Sequence, residues 1–259
     1  MAHEDFVKLD WNEEVATVTM NNPGQMNAFS MEMKAGLQER FSSLMEDPKC
    51  RAIILTGAGG NFSAGGDIKQ MKDRSVVEMR LFMDNTQRLV KTIVTGPKPV
   101  IAAVEGNAYG AGIALAACCD CVVASRTAKF CAVFMRLAQL PDTALRWSLS
   151  QRVGPAKAQE LITLATAFDG EEALRLGMAN RLAEPGSLMK SALKAARRYG
   201  AVPPVAFALN KIAYVEGTSS FEGVLRGELA YHPIAKLTND HREAVAAFKE
   251  KRKPRFTGT

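Results

Sequence analysis

The chain has 259 residues, 47% of them apolar and 23% charged, with a formal net charge of +6. That length supports one sizeable core, and no stretch approaches the roughly 18 consecutive apolar residues of a membrane span. Histidine occurs only at His3, His232 and His241, so a His-dependent hydrolytic triad or a multi-imidazole zinc site would have to be built from the chain ends. "MAHEDFVKLDW" has neither the order of a signal peptide nor the composition of a transit peptide, and a cytoplasmic protein is expected. Basic residues are dispersed until "KEKRKPRF", without interleaved aromatics, so neither nucleic acid nor membrane is an expected partner. A solvated basic tail is the plain reading of that run, and a small phosphate-bearing ligand lies between it and nucleic acid.

In chain order, "FVKLDW" and "VATVTM" read as a strand pair. Ser30 precedes an amphipathic helix with apolar Met33, Leu37, Phe41, Leu44 and Met45, stopped by Pro48. "RAIILTG" is a buried strand, "AGGNFSAGGD" a glycine-rich loop, and residues 75–95 a second helix. "VIAAVEG" is another strand, followed by "NAYGAGIALAACCD" as turn and apolar helix and then by the strand "CVVAS". This alternation predicts an α/β layered core with largely parallel pairing. Beyond residue 140 the pattern is helical to the end, over 142–152, 155–167, 171–177, 187–199, 203–213, 217–230 and 239–252. Asp169 and the pair Asn239–Asp240 supply helix caps, and Pro155 an N1 proline. The cysteines Cys118, Cys119 and Cys121 lie in an apolar stretch at spacings that match no zinc pattern, and are expected to be small buried hydrophobes. No metal and no redox cofactor is expected.

Two glycine-rich turns each follow a buried strand: "TGAGGNFSAGGDIKQM" and "EGNAYGAGIALA". Neither is a dinucleotide fingerprint, since the first runs into "NFSAGGD" rather than a helix, and neither carries the GK[ST] of a P-loop. Backbone N–H groups at Gly66 and Ala111 could instead converge on one oxygen as an oxyanion hole, helped by the helix that opens at Ala111. Tight turns without a ligand are the other reading that the spacing leaves open.

"NFSAGGDIKQM" and "PKPVIAAVEGNAYGAGIALAACCD" resemble the two signature stretches of the crotonase superfamily, the enoyl-CoA hydratases and isomerases. The similarity takes in "RVGPAKAQELITLATAFDGEEALRLGMANRLAE" and so runs over nearly the whole chain. "LPDTALRWSLSQRVG" and "FKEKRKPRFTG" look most like the ring-epoxyphenylacetyl-CoA isomerase and Δ3,Δ2-enoyl-CoA isomerase branch. The resemblance implies an α/β crotonase-like ββα spiral core over residues 1–200. It implies a helical region over 201–259 that serves oligomerisation and covers the active site, in a homotrimer or a hexamer made as a dimer of trimers. It implies an acyl-CoA thioester as substrate, coenzyme A being part of that substrate rather than a cofactor. The thioester oxygen falls between the N–H groups of Gly66 and Ala111. Adenine is placed against Ala64 and Ile68, with Lys69 near the phosphates. Met26 and Ala28 line the pantetheine path, and Phe248 and Lys251 reach a CoA on an adjacent subunit.

Hydratases of this superfamily use two glutamates, and the matching positions here are Ala114 and Phe134. Without them, Phe134 becomes part of the acyl site rather than its chemistry, and hydration by that mechanism is disfavoured. The dehalogenase pairing of an aspartate with a histidine on the 75–95 helix is disfavoured too, because that helix has no histidine. What remains is Asp142, at the position where the isomerase branch keeps its aspartate. Its sequence neighbours Phe134, Met135, Leu137, Leu140, Leu145 and Trp147 are apolar, a setting that suits a general base. Read from residues alone, Pro–Asp–Thr before an amphipathic segment is first of all a common helix start, with Asp142 as its cap. Asp67 is expected to fix its loop and Asp120 to cap the turn into "CVVAS", while Glu78 and Asp84 are reserve acids and Glu105 has no assigned role. The other readings are a hydratase or lyase with atypical acid–base residues, and a silent acyl-CoA-binding paralogue.

Overall fold

The computed structural model describes residues 6–67, 75–217 and 220–259. The strands β1 (Val7–Asn12) and β2 (Val15–Met20) form an antiparallel hairpin. Helix α1 (Met31–Glu46) follows, and the Ser30 hydroxyl accepts the Met33 N–H at its start. Next come β3 (Ala52–Gly57) and α2 (Val76–Thr95), which opens on a reciprocal capping box between Ser75 and Glu78. After these come β4 (Val100–Val104), β5 (Asn107–Tyr109), α3 (Ala111–Cys118), β6 (Cys121–Ser125) and β7 (Lys129–Cys131). The remaining elements are α4 (Leu145–Val153), α5 (Pro155–Leu164), β8 (Phe168–Asp169), α6 (Gly170–Leu176) and β9 (Arg181–Ala183). Helices α7 (Leu188–Gly200), α8 (Pro204–Gly217), α9 (Phe221–Leu237) and α10 (Asn239–Lys249) complete the chain.

The main sheet runs β1-β2-β3-β4-β6-β9, parallel throughout except for the first pair. Strand side chains alternate between faces: Ile53, Leu55, Ala102 and Val104 enter the large core, while Ala52, Ile54, Ile101 and Ala103 face α7 on the other side. Burial on both faces is why these strands read as unbroken apolar runs.

A second sheet, β5-β7-β8, stands beside it, with β5 parallel to β7 and β7 antiparallel to β8. Its strands are two or three residues long, too short to leave an alternation signal. The sequence reading therefore takes 107–109 as a turn and misses β8 and β9 in a stretch expected to be wholly helical. The last cap also moves by one residue: Thr238, not Asn239, accepts the His241 N–H that opens α10. Asp240 instead accepts the N–H groups of Thr257 and Gly258, holding the C-terminal tail.

The final helices are tied to their own core by one buried ion pair. Lys211 of α8 donates to Asp120 at 2.8 Å and to the carbonyls of Ile93 and Lys98. Asp120 also accepts the Val100 N–H, so it clamps the start of β4 to α8 rather than capping the turn into β6. Among the described residues, no helix is long and apolar enough to cross a membrane.

Candidate functional site

The two glycine loops leave the carboxyl ends of β3 and β4, the edge of an open parallel sheet where ligands bind. Side-chain amides and one hydroxyl fasten them together. Asn27, fully buried, donates from Nδ2 to the carbonyls of Ala58 (2.9 Å) and Asn61 (2.7 Å), and its Oδ1 accepts the Asn22 N–H. Asn61 Oδ1 accepts both the backbone and the side-chain N–H of Asn107. The Ser63 hydroxyl donates to the Asn27 carbonyl at 2.8 Å and accepts the Gly65 N–H. Ser63 also pairs through its backbone with the second loop, donating to Asn107 and accepting from Tyr109.

The result is a close approach of the two donor positions. A Cβ added at Gly65 would lie 2.6 Å from the Tyr109 oxygen and 3.3 Å from the Ala111 nitrogen, with the backbone at φ +94°. Gly110 turns the chain into α3 at φ +51°, and its N–H donates to the Cys131 carbonyl. Among the described residues, neither the Gly66 nor the Ala111 N–H donates to a backbone acceptor. Ala111 is the first residue of α3, so its donor lies at the positive end of that helix. Two unspent donors brought together in this way can hold a developing negative oxygen.

Ala114, on the next turn of α3, is fully buried, and Phe134 is buried in a short 3-10 helix, Val133–Leu137. Neither position offers a carboxylate. Asp142 is half-buried, and its Oδ1 accepts the Thr143 hydroxyl at 2.9 Å. Its Oδ2 accepts no hydrogen bond among the described residues, and its side chain caps no helix. The helix expected over 142–152 begins only at Leu145, because Thr143 and Ala144 both adopt left-handed backbone, at φ +53° and +56°. The apolar setting expected around Asp142 is only partly internal: Phe134 and Leu145 are buried, whereas Met135, Leu137, Leu140 and Trp147 project outward from this chain.

Glu78 completes its capping box and Asp84 pairs with Arg88 at 2.6 Å, both exposed on α2, and Glu105 is exposed. The three clustered cysteines are buried thiols. Burial pushes Cys118 up to about 11, against the Ser148 hydrogen bond and the Arg152 charge that pull it down, so it stays a neutral donor. Arg152, itself buried, donates to the carbonyls of Ala117 and Cys119 at the C-terminal end of α3.

Of the predicted ligand-binding residues, Met26 is exposed, Ala28 is buried, and the Ala64 N–H donates to the Met26 carbonyl. Ile68 and Lys69 lie outside the described residues. Phe248 is 85% exposed and Lys251 is exposed, both pointing away from their own core. The residues that sequence reasoning missed are Asn27, Asn61, Ser63, Asn107 and Thr143. Asparagine recurring beside glycine turns was the available signal for three of them.

A cleft lined by Cys50, Lys98, Tyr199 and Phe207 lies at the opposite, amino-terminal end of β3 and β4. It contains no part of the donor pair.

The enoyl-CoA hydratase/isomerase family profile matches residues 10–259, and the chain belongs to that family, within the crotonase superfamily. It is 34% identical to the 1,2-epoxyphenylacetyl-CoA isomerase of Escherichia coli K12, over 98% of this chain and 99% of that one. It is 33% identical to the crotonyl-CoA hydratase of Syntrophomonas wolfei, over 99% of both chains. Among solved structures, the enoyl-CoA hydratase of Bacillus anthracis superposes with a TM-score of 0.90 at 28% identity, covering 98% of this chain and 100% of that one. The crotonase-like α/β fold with a C-terminal helical region is thus shown by sequence and structure alike.

Proposed function

We propose that this enzyme is an acyl-CoA isomerase that holds a thioester enolate between the N–H groups of Gly66 and Ala111 and moves one proton with Asp142. The observation that carries this reading is the set of acids at the site. Ala114 and Phe134 are buried and carry no carboxylate, while Asp142 keeps one carboxylate oxygen without a hydrogen-bond partner among the described residues. In double-bond migration, Asp142 takes the α-proton of a β,γ-unsaturated thioester. The C–H electron pair enters the π system and charge builds on the thioester oxygen. Each backbone donor there is worth about 3–4 kcal/mol in the transition state. The same carboxyl then returns the proton at the γ carbon, and the double bond ends between the α and β carbons. One group and one proton suffice, with no water consumed. Ring-epoxide isomerisation started by the same donor pair is the variant that the Escherichia coli relative brings forward.

CoA binding is assigned to Met26, Ala28, Ala64, Ile68 and Lys69, with Phe134 against the acyl group. Phe248 and Lys251 serve a neighbouring subunit's ligand. Residues 201–259 are assigned to assembly, as a homotrimer or homohexamer. The apolar Phe221, Leu229 and Leu237 of α9, each at least 74% exposed on the single chain, support that assignment.

The similarity to crotonyl-CoA hydratase makes hydration the second reading. A panel of 2-enoyl-, 3-enoyl- and aryl-acyl-CoA thioesters, followed for hydration and isomerisation together, separates them. Isomerisation of the 3-enoyl or aryl substrate at a rate above hydration of the 2-enoyl substrate is the expected outcome. Hydration as the dominant activity overturns the reading, and binding without deuterium exchange at any carbon identifies a silent paralogue.

A further inference from the structure

We propose that Thr143 is the positioning residue for Asp142: its hydroxyl holds one carboxylate oxygen, and its left-handed backbone keeps that carboxylate from being spent as a helix cap. The inference rests on the reading of Asp142 as the base.

An aspartate just ahead of a helix ordinarily turns its carboxylate onto the free N–H groups of the first turn. Residues 142–144 carry the sequence for that arrangement, yet the structure departs from it. Thr143 and Ala144 run at φ +53° and +56°, so the chain turns away and α4 opens at Leu145 with no side-chain cap. A left-handed residue with a Cβ costs about 1–2 kcal/mol, and a β-branched one is a marked outlier. Such strain persists only where the surroundings over-determine it.

They do so here. The Cys118 thiol of α3 donates to the Thr143 carbonyl at 3.7 Å. The Ser148 hydroxyl donates to the Ala144 carbonyl at 3.1 Å, and the Leu145 N–H donates to the Asp142 carbonyl at 3.0 Å. Thr143 is 3% exposed, so its hydroxyl is shielded from water and its bond to Asp142 Oδ1, at 2.9 Å, lies at the protein interior. That bond stops the carboxylate from rotating and leaves Oδ2, which accepts no hydrogen bond among the described residues, as the oxygen available to a substrate. The corner is held to α3, the helix whose first N–H is the Ala111 donor, so base and donor share one support.

The test uses Thr143→Val, which keeps the β-branched shape and removes the donor, and Thr143→Ser, which keeps the donor. Full-length variants are assayed for kcat and KM with 3-hexenoyl-CoA, and for α-proton exchange in deuterated water, beside Asp142→Asn. Thr143→Val is expected to lower kcat about tenfold, the scale of one hydrogen bond to a charged group, with KM within about twofold. Thr143→Ser is expected to restore kcat to within about threefold of the parent. Should the valine variant fold poorly, Thr143→Ala removes the same hydroxyl and carries the same expectation. Unchanged kcat in the hydroxyl-free variant overturns the inference, and so does a serine variant as slow as the valine one. If Asp142→Asn keeps full activity, the reading of Asp142 as base falls and the inference with it. If Asp142→Asn is inactive and Thr143→Val is not impaired, only the inference falls.

Discussion

In the donor loops positive φ falls on Gly59, Gly60, Gly65, Gly106 and Gly110, whereas in the acid corner it falls on Thr143 and Ala144. Both regions turn the chain sharply, the loops at the donor pair and the corner at the proposed base. The loops do it with residues that adopt left-handed backbone freely, and then fix their shape through Asn27, Asn61 and Ser63. The corner does it with residues that resist that backbone, and holds them there by hydrogen bonds from α3 and α4. The loops present main-chain donors, so side-chain identity at Ala111 matters little. The corner presents a side chain, so its backbone must stop that side chain from finding a more comfortable partner.

The largest effect is expected at the acid. Asp142→Asn keeps the size and some hydrogen bonding but cannot take a proton; isomerisation is expected to fall about 10²–10⁴-fold, measured as kcat with folding checked by circular dichroism. Survival of full activity would leave the corner with no chemical role. On the donor side, Gly112 sits in helical backbone, so an added Cβ tests packing alone. That atom would lie 2.6 Å from the Ser63 carbonyl oxygen. Gly112→Ala is expected to push the loops apart and to lower kcat by at least about tenfold, toward the 10²–10³ that loss of one donor costs. A variant with unaltered kcat would show that the spacing of the loops is not critical.

Smaller effects separate the two regions by stability. Asn27→Ala leaves the carbonyls of Ala58 and Asn61 and the Asn22 N–H without their partner, and should cost about 1–3 kcal/mol in denaturant unfolding. Ala144→Gly removes a Cβ from left-handed backbone. It should stabilise by about 1 kcal/mol, or raise the melting temperature by about 2–4 °C. If Ala144→Gly destabilised the protein, the corner would not be strained and the contrast with the loops would disappear.

Much of the fold was legible because periodicity reports burial. The strands at 52–57, 100–104 and 121–125 are apolar on both faces and read as such, and the helix at 31–46 announces itself through Ser30. The second sheet was not legible, because strands of two or three residues carry no period. The role of Asp120 was hidden for another reason: its partner Lys211 is 91 residues away in sequence.

By itself the sequence determined the family, the two glycine turns, and the absence of a carboxylate at positions 114 and 134, because residue identity alone settles which chemistry a position can supply. Only the tertiary structure decided whether Asp142 is a cap or a candidate base. In one dimension Pro–Asp–Thr is a helix start. In three, bonds from Cys118 and Ser148 hold the following two residues in left-handed backbone, and among the described residues the carboxylate has Thr143 on one oxygen and no hydrogen-bond partner on the other.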